Sequence, residues 1–387
     1  MKNRDRITGN VLGRKIDRLP LFISIGPWRE TMCRWLDEGL ADNEEWKRVF
    51  GVEGETAWNP ELLDIVRRDC SKWNKWFGFD EGFSVIQEVP LGFEPAFKEE
   101  ILEEQGNSRI MRDSLGATIQ TFIGSMSIPR YIDYPVKNRS DWEKLKEERL
   151  QLNNPARFPD NWDVLVENYN TSDEAVQIGK HPYGLFGTLR ELMGVEEFLV
   201  SFYTQPELIK DMMDHFTDLW LEIYERVSQK VHIDMIHMWE DMSGCHGSLL
   251  SPEHTEQFMM PNYRKIAEFA KSKGIEIFSV DTDGNVSQLL PVFIGAGVNL
   301  VWPFEVKAGS DIVAYGKQYP ELAIMGGIEK GALALGKEAI DAELKRIEPM
   351  FRRGRYFPAL DHGIPPDVSL DNMNYYVERI KELTYKA

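Results

Sequence analysis

The sequence predicts an α/β fold, and three observations support that prediction. From about residue 170 onward, short apolar runs alternate with longer amphipathic stretches. The runs have the length of strands and the stretches that of helices, which favours parallel strands joined by helical crossovers. Polar residues follow the apolar runs directly, where α/β folds carry their sites. This rhythm fits either an eight-stranded barrel or an open doubly wound sheet, although no Gly-x-Gly-x-x-Gly phosphate loop follows the early strands.

The predicted elements of this region follow the apolar runs in chain order. Strands are predicted at residues 175–179, 233–239, 275–280, 298–302, 323–325 and 356–360. Helices are predicted at residues 189–204, 206–230, 251–272, 286–296, from 311 onward, 337–350 and 369–385. Pro206 and Pro252 stand at helix starts, where a missing N–H costs nothing, and Ser251 is a favourable capping residue.

The first 170 residues are less regular. Residues 21–25 form an apolar run that predicts the first strand of the main sheet. A second main strand and a small antiparallel insertion are predicted from β-like alternation at residues 83–89, 93–102 and 109–122 and an extended piece at 131–135. Charged peripheral helices are predicted at residues 138–148 and 162–170.

Composition excludes several classes of protein. The chain has 387 residues, 42% of them apolar and 11% aromatic, so it suits two folded domains or one large barrel with an extension. Its net charge of −18 is spread along the chain without a basic patch, which argues against nucleic acid and anionic membranes as partners. Three widely spaced cysteines and the lack of a long apolar segment predict a cytoplasmic protein without a membrane span.

Two acidic turns carry the most informative pattern. Asp281 and Asp283 follow one predicted strand, and His362 follows another. Alternate residues of an extended chain share a face, so the two carboxylates can point the same way and meet the imidazole. An O, O, N ligand set suits a divalent cation. The alternative is ordinary turn chemistry, because Asp and Gly are common in turns.

Other candidates lie at the same predicted edge. Glu240 could be a fourth ligand, a general base or a substrate anchor, or only an ion-pair partner or cap. His237 is three residues away on the same strand, so we expect it on the opposite face in a structural role. Trp28, Trp239 and Trp302 could line a cavity for a flat or methylated molecule, although core packing is the commoner role of tryptophan. The remaining pocket candidates are Arg29 and Glu329.

With these residues assembled, the chain resembles the uroporphyrinogen decarboxylase superfamily over nearly its whole length. The motifs that carry the resemblance are Trp239-Glu-Asp-Met, Gly247-Ser-Leu-Leu-Ser-Pro-Glu, Val280-Asp-Thr-Asp-Gly-Asn, Gly326-Gly-Ile-Glu-Lys and Asp361-His-Gly-Ile-Pro-Pro-Asp. The resemblance implies a single (β/α)8 barrel domain over residues 1–387, with an N-terminal extension and a small antiparallel insertion within about residues 80–170. It also implies a deep pocket at the carboxyl ends of the strands.

The superfamily contains tetrapyrrole decarboxylases and zinc-dependent methyltransferases that serve a corrinoid protein or a thiol. The decarboxylase branch carries an Arg-rich N-terminal fingerprint, whereas this chain has Ile25-Gly-Pro-Trp-Arg29-Glu, with Arg34 as the other nearby cation. Without a cationic cradle, an octa-acid substrate would be repelled by this acidic protein. The resemblance is therefore closer to the methyltransferase branch. There, Asp281, Asp283 and His362 stand where that branch has His, Cys and Cys.

The resemblance implies a metal-dependent methyltransferase, with zinc as the expected ion at Asp281, Asp283 and His362. The enzyme would move a methyl group from a small O- or N-methylated substrate to a corrinoid carried by a partner protein, with Glu240, Asp281 and His362 as catalytic residues. Two alternatives stay open: a metal-assisted decarboxylase or lyase of a small carboxylated substrate, and a non-catalytic binding subunit. A homodimer also stays open.

Overall fold

Seven parallel strands form a curled central sheet in the computed structural model, which describes residues 1–52, 60–122 and 129–386. The described strands are β1 (Phe83–Val85), β2 (Glu100–Gln105), β3 (Ser108–Arg112), β4 (Thr118–Phe122), β5 (Arg130–Asp133), β6 (Ala175–Ile178), β7 (Met235–Trp239), β8 (Ser243–Gly244), β9 (Gly247–Ser248), β10 (Ile277–Asp281), β11 (Leu300–Trp302), β12 (Ala323–Met325) and β13 (Tyr356–Phe357).

The described α-helices are α1 (Asn3–Leu12), α2 (Arg29–Asp37), α3 (Glu44–Phe50), α4 (Pro60–Arg68), α5 (Cys70–Phe77), α6 (Arg139–Arg149), α7 (Trp162–Thr171), α8 (Leu185–Met193), α9 (Val195–Thr204), α10 (Pro206–Ser228), α11 (Pro252–His254), α12 (Met260–Lys273), α13 (Leu290–Gly295), α14 (Ile312–Gln318), α15 (Lys330–Ala334), α16 (Lys337–Arg346), α17 (Glu348–Arg353) and α18 (Leu370–Lys386). None of these described helices combines the length and the apolar character that crossing a membrane requires.

The main sheet has the order β1-β6-β7-β10-β11-β12-β13, and every neighbouring pair is parallel. Strands that follow one another in the chain are therefore neighbours, with helices between them, which confirms the predicted α/β class. The predicted helix at 189–204 is two helices, because Gly194 between α8 and α9 adopts a left-handed φ of 78°. A separate sheet, β2-β3-β4-β5, is antiparallel.

The predicted strand at residues 21–25 is wrong. The backbone N–H groups of Leu21 and Ile23 donate to the side chains of Asp80 and Asn74, at 2.9 and 2.6 Å, rather than to a neighbouring strand. The ring of Phe22 nevertheless lies 5.8 Å from that of Phe83 on β1 and 5.8 Å from that of Phe357 on β13. This segment thus packs against both edge strands of the sheet without joining its hydrogen-bond ladder.

Alternate residues of the strands belong to two different cores. One core lies inside the curl of the sheet, and its members include Ala175, Met235, Ile277, Leu300 and Ala323. The larger core lies between the sheet and the surrounding helices, and its members include Val176, Ile236, Phe278, Val301 and Ile324. Because the side-chain period of a strand is two, this division also decides which polar residues face inward.

Helix α1 covers the amino ends of the strands. Ile7 and Val11 are fully buried and belong to the inner core. Arg4 pairs with Asp234, just before β7, at 2.9 Å. Helix α1 therefore closes the interior of the curl at this end of the sheet.

Candidate active site at the carboxyl ends of the strands

A cavity of about 280 Å3 lies inside the curl of the sheet. Three neighbouring strands each contribute an inward-facing residue to its wall: His237 from β7, Asp281 from β10 and Trp302 from β11. Lys180 and His181, which follow β6, also line the interior cavity. A space of this size suits a small molecule rather than a macrocycle.

Asp281 is a carboxyl group in a position that disfavours its charge. Burial, followed by the negative charges of Asp283 and Asp241, raises its pKa well above the usual range. No hydrogen bond to its carboxylate is found among the described residues. These surroundings favour the protonated form of the carboxyl group, which can donate a proton into the cavity.

The imidazole of His237 is neutral. Burial lowers its pKa to about 3, and its Nδ1 lies 3.2 Å from the Ser279 hydroxyl on the next strand. Its ring centroid is 5.5 Å from that of Trp302. His237 can thus accept or donate one hydrogen bond in the cavity, but it brings no charge.

Lys180 and His181 add two basic groups to the lining of the cavity. Burial is the largest cause that lowers the pKa of both groups, and the cations Arg190 and Lys180 lower that of His181 further. The His181 ring lies 4.2 Å from the ring of Trp239. A partly desolvated ammonium facing an interior cavity is suited to hold an anionic group of a ligand.

His362 lies beside Asp283, with Nε2 and Oδ2 separated by 3.5 Å. Hydrogen bonding to Asp283 is the main cause that raises the pKa of His362. The preceding residue, Asp361, is buried and accepts from the backbone N–H groups of Val306 and Lys330 at 2.9 and 3.0 Å. These bonds fix the turn that carries His362.

The three predicted metal ligands are not arranged around a common point. Within residues 1–52, 60–122 and 129–386, no group of three or more His, Cys, Asp or Glu side chains is placed to hold an ion. Asp283 and His362 contact each other, whereas Asp281 lines the interior cavity. A third nearby carboxylate, Asp241, is occupied by Arg190, whose Nη1 donates to it at 2.5 Å. The residues present do not fit a metal centre.

Replacing Asp283 by asparagine should lower the pKa of His362. The wild-type pairing stabilises the protein below the unfolded pKa of histidine, and that stability is lost as the pH rises through the higher folded value. NMR titration of the His362 ring in the two proteins measures the change. An unchanged titration curve in Asp283→Asn would show that the pairing is absent in solution.

Glu240 faces the helices rather than the cavity. Its carboxylate accepts from the backbone N–H groups of Leu185, Phe186 and Gly187 at 3.0, 2.6 and 3.1 Å, and from the Tyr263 hydroxyl at 2.5 Å. Burial raises its pKa to about 7 despite these four donors. Glu240 thus caps α8, and it does not line the interior cavity as the sequence predicts.

A family model now adds to this geometry. Residues 110–383 match the model for uroporphyrinogen decarboxylase (URO-D). The chain belongs to the uroporphyrinogen decarboxylase family. Curated relatives include the uroporphyrinogen decarboxylase of Geobacter metallireducens, 24% identical over 258 residues that cover 65% of this chain and 72% of the relative. That of Geobacter sulfurreducens is 24% identical over 260 residues, covering 66% and 73%.

Among solved structures, a methyltransferase from Methanosarcina mazei is similar, with a TM-score of 0.59 and 18% identity over 99% of both chains. At this identity the likeness concerns the fold alone.

The remaining predicted pocket residues of this uroporphyrinogen decarboxylase family member lie around the cavity rather than in its wall. The Trp239 ring contacts that of His181 edge to face, and Trp28 is 40% exposed, its backbone N–H donating to the Ile364 carbonyl at 3.0 Å. Arg29 is buried in the first turn of α2. Glu329 pairs with Lys307 at 3.3 Å. Of the predicted tryptophans, Trp302 is the one that lines the cavity among the described residues.

Sequence reasoning missed Lys180, His181 and His237. The first two directly follow the predicted strand at 175–179, so the rule that sites lie after strands would have found them. The sequence predicts that Glu240 faces the cavity and that His237, three residues away, faces the helices. The two residues do lie on opposite faces of the strand, but His237 faces the cavity and Glu240 faces the helices.

The end of β7 packs so closely on α8 that there is no room for a side chain at Gly187. A Cβ on Gly187 would lie 2.2 Å from the carbonyl oxygen of Trp239, whereas one on Gly295 would meet nothing within 4 Å. We therefore expect Gly187→Ala to lower the free energy of unfolding by about 1–3 kcal/mol or more, the usual cost of overpacking. Gly295→Ala is the control and should leave stability nearly unchanged. Equal urea midpoints for the two variants would contradict the close approach.

Proposed function

We propose that this protein transfers the methyl group of a small O- or N-methylated substrate to a corrinoid carried by a partner protein. The observation that carries the proposal is the carboxyl group of Asp281 in the wall of an interior cavity of about 280 Å3, where burial and two neighbouring carboxylates raise its pKa. The methyl–heteroatom bond of an ether or amine breaks readily only if the departing atom is protonated or otherwise stabilised. Asp281 is the group that supplies that proton.

The proposed step balances without any further reactant. The carbon–oxygen or carbon–nitrogen bond breaks, and its electron pair stays on the heteroatom, which takes the proton of Asp281. The methyl group passes to the reduced corrinoid of the partner. Because the predicted ligands do not fit a metal centre, no part of this step is assigned to zinc or another divalent ion.

The wall of the cavity supports a substrate that is flat, aromatic and partly anionic. Trp302, Phe22 and Phe83 offer apolar ring surface, and neutral His237 offers a single hydrogen bond. Lys180 can hold a carboxylate in the same cavity. A methoxylated aromatic acid combines these features.

To test the proposal, the purified protein is mixed with free cob(I)alamin and with methoxylated aromatic acids or methylamines. Methylation of the cobalamin is measured from its visible spectrum. We expect turnover with at least one donor, and the same turnover after dialysis against a chelator. Asp163→Asn is the matched control, since Asp163 is an exposed carboxylate paired with Lys230 far from the cavity. No methylation with any donor would overturn the proposal, and turnover that a chelator abolishes would overturn the metal-free step.

A second candidate is decarboxylation of a small carboxylated substrate, favoured by Lys180 in the cavity and by the family to which the chain belongs. Here Asp281 would protonate the carbanion that remains after CO2 leaves. Release of CO2 from an aromatic acid without any corrinoid would favour this candidate over methyl transfer.

A further inference from the structure

A second cavity, of about 330 Å3, lies at the amino ends of the strands, on the side of the molecule opposite Asp281. It is formed by the segment that follows α1 and by the end of α17 with the residues that lead into β13. We call it the arginine cavity, because five arginines line it: Arg14, Arg18, Arg352, Arg353 and Arg355. Asp17 is the one carboxylate among the described lining residues.

This concentration of cations is unusual in a protein of net charge −18. Four of the five arginines are paired with carboxylates: Arg14 with Glu276 at 2.5 Å, Arg18 with Asp80 at 2.6 Å, and Arg352 and Arg355 with Glu348 and Glu321. Two of these pairs are at the surface: the side chains of Arg14 and Arg352 are 55% and 79% exposed. Surface pairs of this kind contribute little, so both arginines can turn to a ligand at low cost.

Arg353 supplies a fixed positive charge. Its guanidinium donates to six backbone carbonyl groups, with the shortest bond, 2.6 Å, to Leu322. Among the described residues no carboxylate forms an ion pair with it, and the neighbouring Arg355 adds a charge of the same sign. The wall of the arginine cavity therefore keeps the positive charge of Arg353 in place, whichever way the exposed side chains of Arg14 and Arg352 turn.

Asn10 adds a second observation. It is 1% exposed and lines the same cavity, and its amide nitrogen donates to the Tyr356 carbonyl at 3.0 Å. Its Oδ1 is buried without a hydrogen-bond partner in the described part of the chain. A buried acceptor left unpaired is costly, and a hydroxyl donor in the cavity would remove that cost.

From these observations we infer that the arginine cavity binds a small phosphate-bearing molecule. Arginine presents a planar fork that matches phosphate oxygens, and the two exposed forks of Arg14 and Arg352 beside the fixed charge of Arg353 favour a polyvalent oxyanion over a single carboxylate. The P–OH of a monoprotonated phosphate, or a hydroxyl on its carrier, is the donor that Asn10 lacks. The site lies at the opposite end of the sheet from the proposed chemistry, so its ligand would act as an effector rather than as a substrate.

The test is isothermal titration calorimetry of the full chain with inorganic pyrophosphate at fixed ionic strength. We expect saturable binding with one site, and at least about tenfold weaker binding in Arg14→Ala/Arg352→Ala, because two of the phosphate-binding forks are removed. Arg48→Ala/Arg139→Ala is the control: it changes the net charge equally at exposed arginines outside the cavity. Thermal melting of each variant checks that it is folded.

Three outcomes would overturn the inference: no saturable binding by the wild type, unchanged affinity in the cavity variant, or an equal loss of affinity in the control. None of these three outcomes depends on methyl transfer. Failure of this inference would therefore leave the proposed function standing, and failure of the proposed function would leave this inference standing.

Discussion

Asp281→Asn should lower the rate of methyl transfer by about 100- to 10,000-fold, the range for loss of a general acid or base. Asparagine keeps the shape of the side chain but has no proton of suitable acidity to give to the departing heteroatom. The change should appear in kcat, because the proton moves in the transition state while substrate binding depends on other groups. Steady-state kinetics with the best methyl donor, beside wild type and Asp163→Asn, measure it.

Asp281→Asn should raise the stability of the protein at pH 8, although it lowers the activity. Because the folded pKa of Asp281 is raised, its contribution to stability is complete below the unfolded pKa and is lost as the pH rises toward the folded value. Asparagine has no such loss, so the variant should melt higher than wild type at pH 8 and show a smaller difference at pH 4. A variant with full activity, or with a lower melting temperature at pH 8, would show that Asp281 is not a proton donor with a raised pKa.

Glu240→Ala should give the largest loss of stability of any single substitution considered for this protein. It leaves three backbone N–H groups of α8 and the Tyr263 hydroxyl without their acceptor in the core. Each unsatisfied buried donor costs about 1–3 kcal/mol, so we expect a loss of more than ~3 kcal/mol even if water enters the space. Urea denaturation followed by circular dichroism measures the free energy of unfolding.

Two further variants, one at Glu240 and one at its hydrogen-bond donor Tyr263, separate capping from catalysis. Tyr263→Phe removes one donor and should cost about 1 kcal/mol. Glu240→Gln keeps one oxygen acceptor and should fall between wild type and Glu240→Ala. If Glu240→Gln were as stable as wild type but lost all methyl transfer, Glu240 would have a chemical role that its position against the helices does not indicate.

Much of the architecture could be predicted from periodicity. The strands at 175–179, 233–239 and 323–325 and the long helix at 206–230 lie where the apolar pattern places them, because their burial follows directly from the sequence. The strand predicted at 21–25 failed for a non-local reason. Asp80 and Asn74, more than fifty residues away, accept the N–H groups that a neighbouring strand would otherwise take.

The candidate site also combines features that the sequence determines with features that only the tertiary structure decides. Sequence alone determined that Asp281 ends a strand and that His237 and Glu240 lie on opposite faces of theirs, because strand alternation is local geometry. Only the tertiary structure decided that His237 faces the cavity and Glu240 the helices. Both faces of a strand in a parallel sheet are covered by apolar groups, so the sequence carries no mark of which one is inside.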